Sequence, residues 1–238
     1  MRSKNPDRRS TAWSSRARAE ARSNRKPSTC ISSVRALLMD RRIGIFGLCV
    51  VLIQFANAAM LPLVGQVLSQ GNDHSAPLYM SACIITAQLV MMPVAAWAGR
   101  ACTVHGRKWV LMIGFSVLPI RGVLYTLTGD PIALIAIEIL DGVGAGIFGV
   151  AAVLVVADLT GGTGRFNLTN GAIGTAISLG ASLSHVVSGL IVHHLGYDAA
   201  FLALSAVASI ALGCLWIAMP ETSDTRRHGE GRSRAGHR

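Results

Sequence analysis

Charge is what this sequence has least of. Of its 238 residues only 14% are Asp, Glu, Lys or Arg, while 51% are hydrophobic; a soluble domain carries about 25% charged residues. Mean hydropathy is +0.48. An ordinary soluble domain is excluded, and a lipid bilayer becomes the first solvent to consider. Acidic residues are the scarcer sign, 12 against 22 basic ones. Nucleic acid is still excluded as a partner, because the basic residues sit at the two ends and in short connections rather than among aromatics on one surface.

Paired metal or redox ligands are also missing. Cys30, Cys49, Cys83, Cys102 and Cys214 are odd in number, scattered and without a C-x-x-C pair, so neither a disulfide framework nor a zinc site is indicated. His193-His194 lacks further ligands at metal spacing, and no metal or cofactor is expected. Neither H-E-x-x-H nor G-x-S-x-G occurs, which argues against an enzyme. Gly144, Gly146 and Gly149 do fall in G-x-G-x-x-G order. However, no acidic residue follows Asp158 until Asp198 to hold a ribose, and Pro131 to Ala157 is a 27-residue run with two charges. That run reads as a membrane helix in which Gly142, Gly146 and Gly149, four and three apart, open a face for close helix packing.

What is present is six long apolar runs, at about 43–65, 77–98, 109–128, 131–157, 168–192 and 199–219, each near the 20 residues that cross a bilayer. Pro77 and Pro131 suit first helical turns, Gly129-Asp130-Pro131 a tight connection, and Pro220 a stop. The expected fold is an all-α membrane protein with three parts. Residues 1–40 and 221–238 read as disordered basic tails, with a mitochondrial transit peptide as the alternative for the first, and 41–220 as a six-helix transmembrane domain. Lys and Arg confirm the count of spans: twelve in residues 1–42, three in the second connection, one in the fourth and five after Pro220, against none in the alternate connections. Positive residues collect on the cytoplasmic side, so both termini are expected there.

The remaining basic residue, Arg121, lies within a span. It precedes Asp130 by nine residues and Glu138 follows Asp130 by eight, so in an antiparallel hairpin the two share a depth of about 12 Å. Asp141, three residues after Glu138, shares its face. One carboxylate is expected to take the arginine and the other to face a cavity, as a proton or substrate-coupling group; an arginine clamp that only fixes packing is the alternative. Gln54, Asn57 and Gln88 are further pathway candidates. The fifth span carries Asn167, Gly171, Gly174, Ser178, Ser182, His185 and Gly189 at spacings of three and four, a stripe expected to serve close packing more than cavity lining. The Asn167-Leu168-Thr169 sequon falls on the cytoplasmic side and is read as chance.

The second connection, GRACTVHGRK, resembles the loop signature G-x-x-x-D-R-x-G-R-K/R of the major facilitator superfamily. Gly99, Gly106, Arg107 and Lys108 match, whereas Thr103 and Val104 stand where Asp and Arg are usual. EILDGVGAGIFG resembles the glycine-rich fourth helix of a facilitator half. The degenerate loop implies a C-terminal half, and VRALLMDRR is similar to the linker helix before it. The resemblance implies one six-helix half of a twelve-helix bundle in the plasma (inner) membrane. It further implies secondary transport of a small-molecule substrate, with protons as one choice of coupling ion. The partner would be a second six-helix half or, in a homodimer, a second copy. A truncated, non-transporting fragment or assembly subunit is the alternative. Arg107 and Lys108 serve either gating or attachment to anionic headgroups.

Overall fold

The computed structural model describes residues 41–71 and 75–218, and every regular element in them is helical. The expected tails, residues 34–40 of the linker-like VRALLMDRR segment and the stop at Pro220 lie outside the described residues. The elements are α1 (Arg41–Ala58), α2 (Met60–Gly71), α3 (Ala76–Val104), α4 (Arg107–Thr126), α5 (Pro131–Leu159), α6 (Phe166–Leu195) and α7 (Tyr197–Ala218). Among the described residues six helices are long and apolar enough to cross a membrane, the first being α1 and α2 together, Arg41–Gln70. This is the architecture of a polytopic membrane protein and of half a twelve-helix bundle.

Local chemistry explains the boundaries. Pro77 and Pro131 stand in first turns, where a missing N–H costs nothing, and the Asp130 side chain accepts from Ala133 N at 3.1 Å to cap α5. Gly106 (φ +92°) turns the chain between α3 and α4 in a backbone region that side chains resist. Pro93 and Pro119 lie inside helices, as a bilayer helix with neighbours allows. The first span breaks at Ala59, three residues before Pro62, whose ring cannot donate to the Ala58 carbonyl. Ser184 of α6 supplies a partner at the break, its Oγ accepting from Ala59 N at 3.1 Å.

Packing centres on α5, which lies against α3 and α4; α4 in turn packs on α7, and α7 on α6. Glycine spacing sets these contacts, since a Cβ on Gly142 would stand 2.4 Å from the Ala87 carbonyl and one on Gly146 would stand 2.8 Å from that of Met91. Gly144 faces the other way, toward Gly114 of α4. Gly149 departs from the expected packing stripe. It is exposed, with open space around it, because α3 lies against the 142/146 side and does not follow α5 round to 149. On α6 the close approach is made by Gly180, where a Cβ would stand 2.4 Å from the Val51 carbonyl of α1.

The α6 stripe of Asn167, Gly171, Gly174, Ser178, Ser182, His185 and Gly189 is exposed throughout, so the helices of this unit do not cover it. Ser178 and Ser182 donate to the carbonyls of Gly174 (3.1 Å) and Ser178 (2.8 Å) on their own helix. Only 11% and 17% of the apolar windows of α3 and α6 are buried, against 39–50% for the other four spans, so these two helices form the uncovered sides of the unit.

Candidate functional site: a polar waist between two apolar cores

Two separate clusters of buried apolar residues fill the bundle. One gathers Phe46, Val50, Leu111, Phe115, Ile147 and Leu215 toward the α3–α4 connection. The other gathers Met60, Leu63, Leu134, Phe201 and Leu204 toward the α4–α5 connection. Between them in sequence a polar residue falls on four of the helices: Asn57 on α1, Arg121 on α4, Glu138 and Asp141 on α5, Ser205 on α7. The fold thus holds a polar layer at mid-depth, where each ionisable group costs about 2.5–3.5 kcal/mol on insertion scales unless it is partnered.

Arg121 pairs with Asp141 through Nη1 and Oδ1, and its Nη2 donates to Asn57 Oδ1 at 2.9 Å. Tyr125 Oη donates to Glu138 Oε1 at 2.5 Å, and the Arg121 guanidinium sits 5.7 Å from the Tyr125 ring centroid. Arg121 and Glu138 are 1% and 0% exposed, whereas the Asp141 side chain is 19% exposed. Arg121 Nε and Glu138 Oε2 are buried without a hydrogen-bond partner among the described residues. Ser205 Oγ donates to the Pro119 carbonyl at 2.7 Å and ties α7 to the same level.

The pairing differs from the equal-depth geometry of the hairpin in a regular way. Arg121 reaches past the level of Glu138 to Asp141, and Tyr125, five residues before Asp130, reaches past the level of Ile135 to Glu138. Side chains on a helix lean toward its N-terminus, so long ones on α4 contact α5 about three residues beyond their mirror position. Glu138 accordingly faces Tyr125 and the core rather than the expected cavity, and Asp141 is the carboxylate with access to the outside of the unit. Gln54 lies on α1 where Gly180 of α6 closes in, its Cβ 3.2 Å from a Cβ placed there. Gln88 is exposed on α3, apart from the waist.

The loop motif forms a second cluster at one end of the bundle. Arg107 Nε stands 2.8 Å from Asp158 Oδ2, with Nη2 3.4 Å from Oδ1, and joins the start of α4 to the end of α5. Lys108 Nζ donates to the Trp216 carbonyl at 2.9 Å in the last turn of α7, a favourable place for a cation. Gly99 faces Val150 of α5. Thr103, standing where Asp is usual, donates to the Arg100 carbonyl at 2.7 Å. Sequence reasoning passed over Asp158 and Tyr125. Both had signals: Asp158 is the acidic residue nearest the loop's level on the neighbouring span, and Tyr125 follows Arg121 by four residues, on its face.

Residues 45–236 match the family model of the Major Facilitator Superfamily. Two curated relatives, both named uncharacterized MFS-type transporters, come from Mycobacterium tuberculosis strains CDC 1551 / Oshkosh and H37Rv. Each is 48% identical over 194 residues, 82% of this chain and 46% of the relative. The chain thus spans about half the length of the curated relatives it matches. Membership of such a family points to transport rather than catalysis. With six apolar spans and a match over most of its length, the chain belongs to the major facilitator superfamily.

Proposed function

We propose that the chain works as the C-terminal six-helix half of a secondary carrier for a small solute in the plasma (inner) membrane, both termini cytoplasmic. It rocks against a second six-helix unit, either a separate half or a second copy. The observation that carries this reading is the waist: an arginine, two carboxylates, an amide and a phenol brought together at mid-bilayer. A purely structural span has no need of them, and intramembrane ionisable groups default to function. Asp141 is the group through which substrate or a proton reaches the layer, Arg121 and Asn57 hold it, and Glu138 with Tyr125 forms the inner pair. The exposed polar stripe of α6, with Ser178, Ser182 and His185, and Gln88 on α3 face the second unit or the path between units.

Coverage of 46% of each relative supports a second reading, in which the chain alone is a non-transporting membrane fragment or an assembly subunit. Reconstitution separates the two. Purified chain is placed in vesicles alone and together with a co-expressed second six-helix unit, cross-linked to score dimers, and assayed for uptake from a panel of labelled small solutes under a pH gradient. Uptake in either assembly supports the carrier. A strictly monomeric protein without uptake in both overturns it.

A further inference from the structure

A groove of about 460 Å³ lies on the outer surface of the unit where α3 ends and α4 begins, walled by Trp97, Ala101 and His105 on one side and Trp109 and Ile113 on the other. Its volume falls within the range of ligand pockets, about 300–1,000 Å³. We infer that this groove holds an acyl chain of an anionic phospholipid, whose headgroup is taken by Arg100 and Lys108, the chain neighbours of the groove residues Ala101 and Trp109.

Three observations meet here. The first is depth: α3 has 29 residues, so it is about 44 Å long and overruns a hydrocarbon core of about 30 Å at both ends. Arg100, four residues from the end of α3, therefore stands at the boundary between acyl chains and headgroups, with Trp97 one turn deeper. The second is composition. All three tryptophans among the described residues, Trp97, Trp109 and Trp216, gather at this end and are exposed by 52%, 57% and 66%, as ring systems at a lipid interface are. The third is charge. Arg100 is exposed on the α3 face that carries Trp97 and Ala101, and makes no ion pair among the described residues. Lys108 uses one of three N–H donors on the Trp216 carbonyl, and the nearby Asp158 is already taken by Arg107. The rim thus presents uncompensated positive charge over an apolar slot, the complement of a phospholipid with a negative headgroup.

Tryptophan quenching tests it. With Trp13→Phe and Trp216→Phe in place, emission comes from Trp97 and Trp109. The full chain is reconstituted in phosphatidylcholine vesicles containing increasing fractions of dibrominated phosphatidylglycerol or dibrominated phosphatidylcholine. Half-maximal quenching is expected at a fraction about 25-fold lower for the phosphatidylglycerol at low salt, from about fivefold selectivity for each of the two basic residues. In Arg100→Gln/Lys108→Gln the two lipids should quench alike, with quenching by the phosphatidylcholine unchanged as the check on folding. Raising sodium chloride to about 0.5 M should shrink the selectivity of the unaltered rim without any substitution. Equal quenching by both lipids with the rim intact, or selectivity that survives the double substitution or high salt, overturns the assignment.

Discussion

Arg121 on α4 and Asp141 on α5 form an ion pair in mid-bundle, with 1% and 19% of their side chains exposed, and Asn57 of α1 holds the other guanidinium nitrogen at 2.9 Å. Three helices from two separate hairpins are thereby tied at one depth. Removing one partner leaves a buried charge uncompensated, a loss of about 3–5 kcal/mol where the pair is fully dry. Asp141 is partly exposed, so Asp141→Asn is expected to cost about 3 kcal/mol, and Arg121→Gln/Asp141→Asn less than the single substitution. Thermal unfolding in detergent with a double-mutant cycle measures both; additive losses would mean that the pair is not coupled.

Tyr125→Phe removes the donor to Glu138 Oε1 and so leaves both oxygens of a fully buried carboxyl without a hydrogen-bond partner among the described residues, Oε2 having none already. An unsatisfied buried group costs about 1–3 kcal/mol, so this one-atom change should lower stability by that amount. Tyr125→Phe/Glu138→Leu should recover most of it. Unfolding curves that place the double variant below the single one would show that Glu138 is held by some other contact.

The two glycine classes on α5 should part company. Gly142→Ala drives a Cβ to 2.4 Å from the Ala87 carbonyl and 2.8 Å from Val90 Cβ. Overpacking of this kind costs about 1–3 kcal/mol. Gly149→Ala enters open space and should be neutral or stabilising by up to about 1 kcal/mol, the helix-propensity difference. Matched melting temperatures for the two variants would contradict the packing described.

Spans, termini of helices and the depth of the charged residues were legible in the sequence because they follow from local rules: apolar length, proline in first turns, and 1.5 Å of rise per residue. Which carboxylate meets Arg121 was not. That choice depends on the N-terminal lean of long side chains and on Tyr125 claiming Glu138, both properties of two packed helices rather than of either alone. What Gly149 and the α6 stripe face was not legible for a related reason. Small residues at helical spacing mark a face where a backbone can approach, but nothing in that spacing says whether the approaching helix belongs to the same unit. Gly180, an isolated glycine off the stripe, makes the contact with α1 instead.

The loop cluster should act at the ends of the helices without holding the fold together. The Arg107–Asp158 pair is largely buried, with 12% and 15% of its two side chains exposed at a helix end, so Asp158→Asn is expected to cost about 2 kcal/mol, between an exposed and a dry pair, and less at high salt. A loss of several kcal/mol in the unfolding curve would make it a core element rather than a surface staple.

Exposure of the α6 stripe carries its own test. In an assembled carrier, Ser178→Cys and Ser182→Cys, built on a background with the native cysteines replaced, should react with a membrane-impermeant thiol reagent if water reaches this face. Protection at both positions would mean that the second unit packs directly on α6.

The central claim, that the polar waist couples to transport and does more than fix packing, is tested most directly by solute uptake in vesicles across a range of pH. Wild type is compared with Glu138→Gln and Asp141→Asn, each first shown to be folded and inserted. The expected result is uptake reduced at least tenfold in Asp141→Asn and an altered pH dependence in Glu138→Gln. Wild-type rates with wild-type pH dependence in both variants would contradict it and confine these carboxylates to holding the helices together.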